Sequence, residues 1–452
     1  MSENLGVIVL AAGMGTRMKS RLHKVLHPIC GMPMGEHVIQ AARALKPRTI
    51  VVVVGHQAEE VRAAFAAADV TFVNQTELNG TADAVKRCED ALSGCDEVMV
   101  LNGDCPLVTP ELLTSLRTVR LLRPLSFVSS FVEEPGRLGR VVRDDNGDPV
   151  EIVEAADFHG ADGPAEINAG QYVFDASWLW RTLPAVPVSA KGEYYLTHLV
   201  AAAAKSGTPG ATTVAEPLEI LGVDDRLRLS EAEAAMRSRI LKRHMLSGVT
   251  IVDPSTTYID AGAEIEADVT IRPNSHILGR SVVVTGADIG PATTLRNATI
   301  GRDTTVQQSV VEDSAVGARC SLGPFAHVRG GATIDDDCEI HNYAEVKNSH
   351  LGHGVKMHHF SYMGDADVGA RANIAAGSIT CNYDGERKHR TVIGEDAFIG
   401  CDTMLIAPVT VGARAFTATG AVVTRDVAPG ETVAGVPARP FTRRSANEGA
   451  AS

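Results

Sequence analysis

The sequence is poor in aromatic residues: Phe, Trp and Tyr together make up 4% of its 452 positions. An interior filled with rings is thereby disfavoured, and a fold that buries small and aliphatic side chains is expected. There is no C-x-x-C pair. The eight cysteines, at 30, 88, 95, 105, 320, 338, 381 and 401, keep no fixed rhythm, which argues against a zinc knuckle or a disulfide framework. Basic charge is in deficit, 42 Lys+Arg against 55 Asp+Glu for a net −13. That balance excludes a general binder of nucleic acid or anionic membranes, so an anionic substrate must meet locally placed donors or a metal. No apolar run reaches the length of a membrane span. The opening MSENLGVIVLAAG lacks the basic segment of a signal peptide. A cytoplasmic protein is expected.

What is present divides the chain by texture. Aliphatic runs at 7–10, 50–54, 70–73 and 98–101 read as buried strands, and 35–45, 58–67, 82–92 and 194–205 read as helices. Their alternation predicts a doubly wound α/β domain with a mainly parallel sheet over residues 1–224. Residues 225–246, without Gly or Pro and charged on several faces, predict a solvated linker helix.

From about residue 250 an aliphatic residue recurs every six positions: Ile259, Ile265, Ile271, Ile277, Val283, Ile289 and Leu295. The beat resumes at Val316, Leu322, Val328, Ile334, Ile340 and Val346. It is re-phased at Leu351, Met357, Met363, Val368 and Ile374, and runs last through Ile393, Ile399, Leu405, Val411, Thr417 and Val423. Gly often follows the aliphatic, as in Ile289-Gly290 and Ile393-Gly394. Six fits neither a helix nor a two-residue alternation. It fits a three-sided parallel β-helix over 247–441, with one inward aliphatic per side, glycine easing the corners, and coils stacked ~4.8 Å apart. The tail 442–452 is expected to be disordered.

Leu10-Ala11-Ala12-Gly13-Met14-Gly15-Thr16-Arg17-Met18 follows the first strand. It lacks the Gly-Lys-Ser/Thr of a Walker loop and the third glycine of the dinucleotide fingerprint. A glycine turn at a strand end nonetheless aims backbone N–H groups at phosphates, with Arg17 and Lys24 adding charge. Asp104, in Leu-Asn-Gly-Asp after the strand 98–101, stands at a carboxyl edge where open α/β sheets bind ligands. Asp224 follows the run 218–223. Two such carboxylates would share one Mg²⁺.

Leu-x-x-Gly-x-Gly-Thr-x-Met followed by Lys24-Val25-Leu26 resembles the signature of sugar-nucleotide pyrophosphorylases, nucleotidyltransferases of GT-A/Rossmann-like fold. With the hexapeptide β-helix added, the chain from 5 to 440 resembles the bifunctional N-acetylglucosamine-1-phosphate uridylyltransferase/glucosamine-1-phosphate N-acetyltransferase family. The resemblance implies acetyl transfer from acetyl-CoA to glucosamine 1-phosphate. Mg²⁺-dependent uridylyl transfer from UTP to N-acetylglucosamine 1-phosphate would follow, supplying peptidoglycan and lipopolysaccharide precursors. It assigns Leu10, Ala11, Ala12, Gly13, Arg17 and Lys24 to the nucleotide, Gln75, Gly80 and Thr81 to the uracil, and Gly139, Glu154 and Asn168 to the sugar. Asp104 and Asp224 would hold the metal. The family usually has Asn at the position of Asp224, often Tyr at that of Asn102, and Pro at that of His23.

In the β-helix half, Arg329 and Lys347 each follow an inward valine and should project outward as a pair of cations suited to a sugar phosphate. His359, two positions past Met357, should also face outward, where an imidazole can take a proton from an amine. The family pattern makes His359 the general base, with Tyr362 and Asn373 positioning substrate; His358 competes for the role. The beat breaks between Thr380 and Ile393, which predicts an external loop with a basic cluster, Asn382-Tyr383-Asp384-Gly385-Glu386-Arg387-Lys388-His389-Arg390. By resemblance Ala376, Asn382, Tyr383, Cys401 and Thr419 contact acetyl-CoA, Cys401 standing where Ser is common. The stretch 434–437 lacks an Arg found in some relatives. Left-handed coiling and a homotrimer are implied by resemblance alone. Two other readings remain open here: a β-helix that serves only oligomerisation or regulation, and a zinc enzyme using His353, His358 and His359.

Overall fold

The computed structural model describes residues 4–160, 163–189 and 191–441. The tail 442–452 lies outside the described residues. The chain forms two compact units, Met1–Met236 and Arg237–Ser452.

In the first unit seven strands form one path, in the order Ala211–Val214, Leu125–Val132, Ala165–Asp175, Glu97–Asn102, Leu5–Ala11, Thr49–Val54, Val70–Asn74. Leu5–Ala11 is parallel to both neighbours, whereas Ala165–Asp175 runs antiparallel to its two. Val7–Val9, Ile50–Val54 and Val98–Leu101 are almost wholly buried. That explains their unbroken hydrophobic runs, because a parallel sheet is covered on both faces. Two expected helices are shorter. The stretch 82–92 breaks into Thr81–Lys86 and a 3₁₀ turn Asp90–Leu92, and the helix expected from 194 begins at His198. The run 218–223 forms a turn over 218–220 and continues without regular structure to Asp224.

A helix spans Arg226–Leu246. It is not solvated all round. Ala232, Ile240, Leu241 and His244 are buried, and Glu233 Oε2 accepts the Cys30 N–H at 2.7 Å.

The second unit is a left-handed parallel β-helix. Its short strands stack into three sheets of parallel rungs, and each coil pairs with the next in register, as in Ile340↔Met357, Val346↔Met363 and Leu351↔Val368. Every hexad aliphatic from Ile271 to Val411 is buried, and Thr380, paired with Leu405, is a buried hydroxyl in the same series. The interruption after Leu295 is no gap: Ile300, Val306 and Val311 fill the next three rungs. Glycine after the aliphatic serves two ends: Gly290 and Gly323 take the positive φ that a corner needs, at +104° and +101°, whereas others keep ordinary φ. At Gly394 an added Cβ would lie 2.4 Å from the Ala413 nitrogen of the next coil, so close approach decides. The left-handed corners are shared between Gly, as at Gly279 and Gly286, and Asp or Asn, among them Asn274, Asn297, Asp303 and Asp365. The last strand, Arg439–Pro440, runs antiparallel to Thr432–Ala434. Among the described residues no helix is long and apolar enough to cross a membrane.

Candidate functional sites

The glycine turn leaves the carboxyl end of the central strand Leu5–Ala11. Register pairs Leu10 with Val53 on one side and Asn102 on the other, which sets the turn beside Asp104. Leu10, Ala11, Ala12, Gly13, Lys24, Gln75, Gly80, Thr81, Asn102 and Asp104 line a cavity of ≈ 320 Å³. An adjoining cavity of ≈ 440 Å³ shares Asn102 and Asp104 and adds Arg17 and Asp224.

A backbone bond draws the two aspartates together: Val223 N–H donates to the Asp104 carbonyl at 2.9 Å. Lys24 bridges them, with Nζ bonded to Asp104 Oδ2 and 2.5 Å from Asp224 Oδ1. Arg17 Nη2 adds a contact to Asp224 at 2.9 Å. Burial alone would lower the Lys24 pKa, but Asp104 and then Asp224 outweigh it and hold the ammonium above its usual range. Gln75 is buried, and its Nε2 donates to Gly80 O and Asp83 Oδ2, both at 3.0 Å. Gly80 has φ +101°, and an added Cβ would lie 2.4 Å from the Tyr194 carbonyl oxygen. Thr81 Oγ1 accepts the Leu196 N–H at 3.0 Å. Asn168 N–H donates to Gly139 O at 2.8 Å, and Glu154 Oε1 accepts from Thr197 Oγ1 at 2.8 Å. A Cβ added at Gly139 would lie 3.6 Å from Glu154 Oε2, so Gly139, Glu154 and Asn168 lie close together, yet none of the three lines either cavity.

In the β-helix the register gathers several expected residues into one column. Met357, Ile374, Ile399 and Thr417 are successive inward rungs, so His359, Ala376, Cys401 and Thr419, each two positions later, follow one another along the same corner. Backbone bonds link that corner from coil to coil, Asp402 N–H to Ala376 O and Gly420 N–H to Cys401 O, both 2.8 Å. Asn373 lies beside this column, paired with Lys356 and Phe398. Tyr362 lies across the next face, opposite Glu345.

Arg329 and Lys347 pair in register, as outward neighbours should. Arg329 is not a free cation: its Nη2 meets Glu345 Oε1 at 2.6 Å. Lys388, and after it Arg329, hold the Lys347 ammonium below its usual range, the mark of crowded positive charge. The external loop expected after Thr380 is there, exposed from Tyr383 to Lys388, and its own bonds close it into a hairpin. Tyr383 bridges Lys388, His389 N–H donates to Asn382 O at 2.8 Å, and Asp384 Oδ1 accepts the Glu386 and Arg387 N–H groups, both at 2.8 Å.

Residues that sequence reasoning passed over anchor this region. Asp365, buried at a left-handed corner, accepts from Asn348 Nδ2 and Asn382 Nδ2, both at 2.5 Å. His353 does not join His358 and His359 but turns to Asp337 at 3.4 Å. His358 instead stacks on His341 and reaches Glu339. His359 itself is exposed, edge-on to His358.

A family model for the MobA-like NTP transferase domain matches residues 7–143. The bifunctional protein GlmU of Brevibacillus brevis is 42% identical over 431 residues, 94% of this chain and 93% of that protein. That of Geobacillus sp. (strain WCH70) is 42% identical over 426 residues, 93% of each. That of Clavibacter sepedonicus is 40% identical over 440 residues, 95% of this chain and 89% of that protein.

Proposed function

The chain belongs to the GlmU family of bifunctional proteins, and from that premise we propose how its own residues carry out two transferase reactions that end in UDP-N-acetylglucosamine. The observation that carries the reading is the convergence of Lys24, Asp104 and Asp224 at the mouth of the glycine turn.

Acetyl transfer comes first. The amine of glucosamine 1-phosphate attacks the thioester carbonyl of acetyl-CoA, a C–N bond forms, the C–S bond breaks, and coenzyme A leaves as its thiolate. His359 takes the amine proton and returns it to that thiolate or to solvent. Arg329, Lys347 and Lys388 hold the sugar phosphate, Tyr362 and Asn373 position the sugar, and Ala376, Asn382, Tyr383, Cys401 and Thr419 line the coenzyme's path. Cys401 offers sulfur where a hydroxyl would donate, which weakens that contact.

Uridylyl transfer follows in the first unit. A phosphate oxygen of N-acetylglucosamine 1-phosphate attacks the α-phosphorus of UTP in line, and pyrophosphate leaves. Backbone N–H groups of 10–13 with Arg17 and Lys24 receive the triphosphate. Gln75, whose Nε2 is already engaged, offers its carbonyl oxygen to the uracil N3–H, and Gly80 and Thr81 complete that edge. Gly139, Glu154 and Asn168 hold the sugar, with Glu154 accepting from hydroxyls. Two carboxylates converging on one ammonium fit a hard dication: Asp104 and Asp224 would hold Mg²⁺, which when bound supplies charge neutralisation at the α-phosphate. Lys24 is then freed from its carboxylates to meet phosphate oxygens.

A cytoplasmic homotrimer, with 1–224 and 247–441 as the two catalytic domains, completes the proposal. The test is a coupled assay. With glucosamine 1-phosphate, acetyl-CoA, UTP and Mg²⁺ present, UDP-N-acetylglucosamine accumulates, and omitting any one component stops it. Consumption of neither the thioester nor UTP would sink the reading. Retained acetyl transfer by 247–452 alone separates it from a purely structural β-helix.

A further inference from the structure

Beside the acetyl-transfer column lies a cluster that neither reaction uses. Ile340 and Met357 are inward rungs of adjacent coils, so the residues after them, His341 and His358, face outward one above the other. Their rings stack with centroids 4.8 Å apart and planes 15° from parallel. Glu339, on the other flank of Ile340, places Oε2 2.7 Å from His358 Nε2 and keeps Oε1 on Lys356 Nζ at 3.2 Å. One donor atom from each of Glu339, His341 and His358 lies within 4.8 Å of the other two. All three residues are half-buried.

We propose that Glu339, His341 and His358 form a binding site for one divalent cation of the zinc class. Two imidazole nitrogens and a carboxylate oxygen are a ligand set that zinc accepts at ~2.0–2.2 Å, with a water in the fourth position. Donors around such an ion stand ~3.3 Å apart, so small χ rotations of the two rings close the site while the ladder holds their backbones in register. Glu339 ligates through Oε2 without giving up Lys356. His341 Nε2 leaves Ser321 Oγ, now 3.1 Å away, and that hydroxyl turns to the metal-bound water. Mg²⁺ and Ca²⁺ seek six or more oxygens and gain little here, so the site selects zinc, cobalt or nickel over the ion proposed for Asp104 and Asp224.

The cation would stand next to His359, whose ring meets that of His358 edge-on at 6.5 Å. Zinc is therefore expected to slow acetyl transfer and spare uridylyl transfer. That consequence rests on the role given to His359 above; the binding itself does not.

The test uses the full chain in saturating Mg²⁺, titrated with Zn²⁺ against a chromophoric chelator and, separately, with Co²⁺ while the visible spectrum is recorded. One Zn²⁺ per chain and the intense bands of tetrahedral Co²⁺ are expected. His341→Ala and Glu339→Gln each should weaken zinc by at least about tenfold and abolish those bands. His341→Asn, which can still bond Ser321, is read alongside, with the circular dichroism spectrum and thermal midpoint as the check that the β-helix is folded. Unchanged affinity in these variants, or an octahedral Co²⁺ spectrum in the parent, overturns the site. Zinc that binds as described yet leaves acetyl transfer untouched counts against His359 as the base, not against the site.

Discussion

Lys24 Nζ lies 2.5 Å from Asp224 Oδ1 while also bonded to Asp104, so one ammonium holds two carboxylates that would otherwise repel. Lys24→Met should lower uridylyl transfer by about 10²–10³-fold, the loss expected when a preorganised charge facing a phosphate is removed. Acetyl transfer should be unaffected. Asp104→Ala should fall comparably, whereas Asp224→Asn should stay within about tenfold of the parent, because an amide oxygen still ligates and Asp104 remains. Pyrophosphate release measures all three. An Asp224→Asn loss as deep as that of Asp104→Ala contradicts the division of roles.

His359→Ala should reduce kcat for acetyl transfer by about 10²–10⁴-fold, the usual span for a lost general base. His358→Ala should cost far less, since its partners are His341 and Glu339. Thiol release from acetyl-CoA reads both variants, with UTP turnover as the internal control. Equal losses would move the role away from His359.

Much of this was legible beforehand, and the reasons differ by region. The β-helix declared itself because each hexad puts one large aliphatic residue inward, with only a small residue such as Ser275, Ala287 or Thr293 buried two positions before it. It went unread from 296 to 315 because sides of five residues, ending at Ile300, Val311 and Val316, slip the beat. The glycine turn, Lys24, Asp104 and Asp224 were readable as motifs, but their mutual contact depends on the Val223–Asp104 bond, which no local pattern reveals. Asp365 was invisible because its partners, Asn348 and Asn382, lie on neighbouring coils. The pairing of His341 with His358 was within reach, since each follows an inward residue of the expected series.

Asp365 is the hinge of a third prediction. Asp365→Ala leaves the buried Asn382 amide without its acceptor, at a cost of about 1–3 kcal/mol, while the exposed Asn348 amide turns to water. The hairpin beyond Asn382 should loosen. KM for acetyl-CoA should rise more than kcat falls, and uridylyl transfer should not change. Asp365→Asn should restore part of the loss, and an unaltered KM in Asp365→Ala would refute the link.

Acid should uncouple one ion pair of the first unit. Burial would raise the Glu166 pKa, but the bonds to Arg143, with Nε to Oε2 at 2.7 Å, hold it below its ordinary 4.5. A carboxylate lowered on folding contributes stability that is fully present above the unfolded pKa and is lost as pH falls through the folded one. The difference in thermal midpoint between the parent and Glu166→Gln should therefore be constant near neutrality and shrink below about pH 4.5. A difference that grows in acid would show that Arg143 is not the cause.

A stack of parallel rungs has no natural end, and a bare final rung invites another chain to continue it. Here Arg439–Pro440 turns back against Thr432–Ala434, so the terminal edge of one of the three sheets is met by a strand running the wrong way for propagation. Pro440 presents no amide hydrogen to a newcomer. Chains truncated before 439 should thus be prone to end-to-end polymerisation even with every catalytic group intact, and solubility would fail before chemistry does.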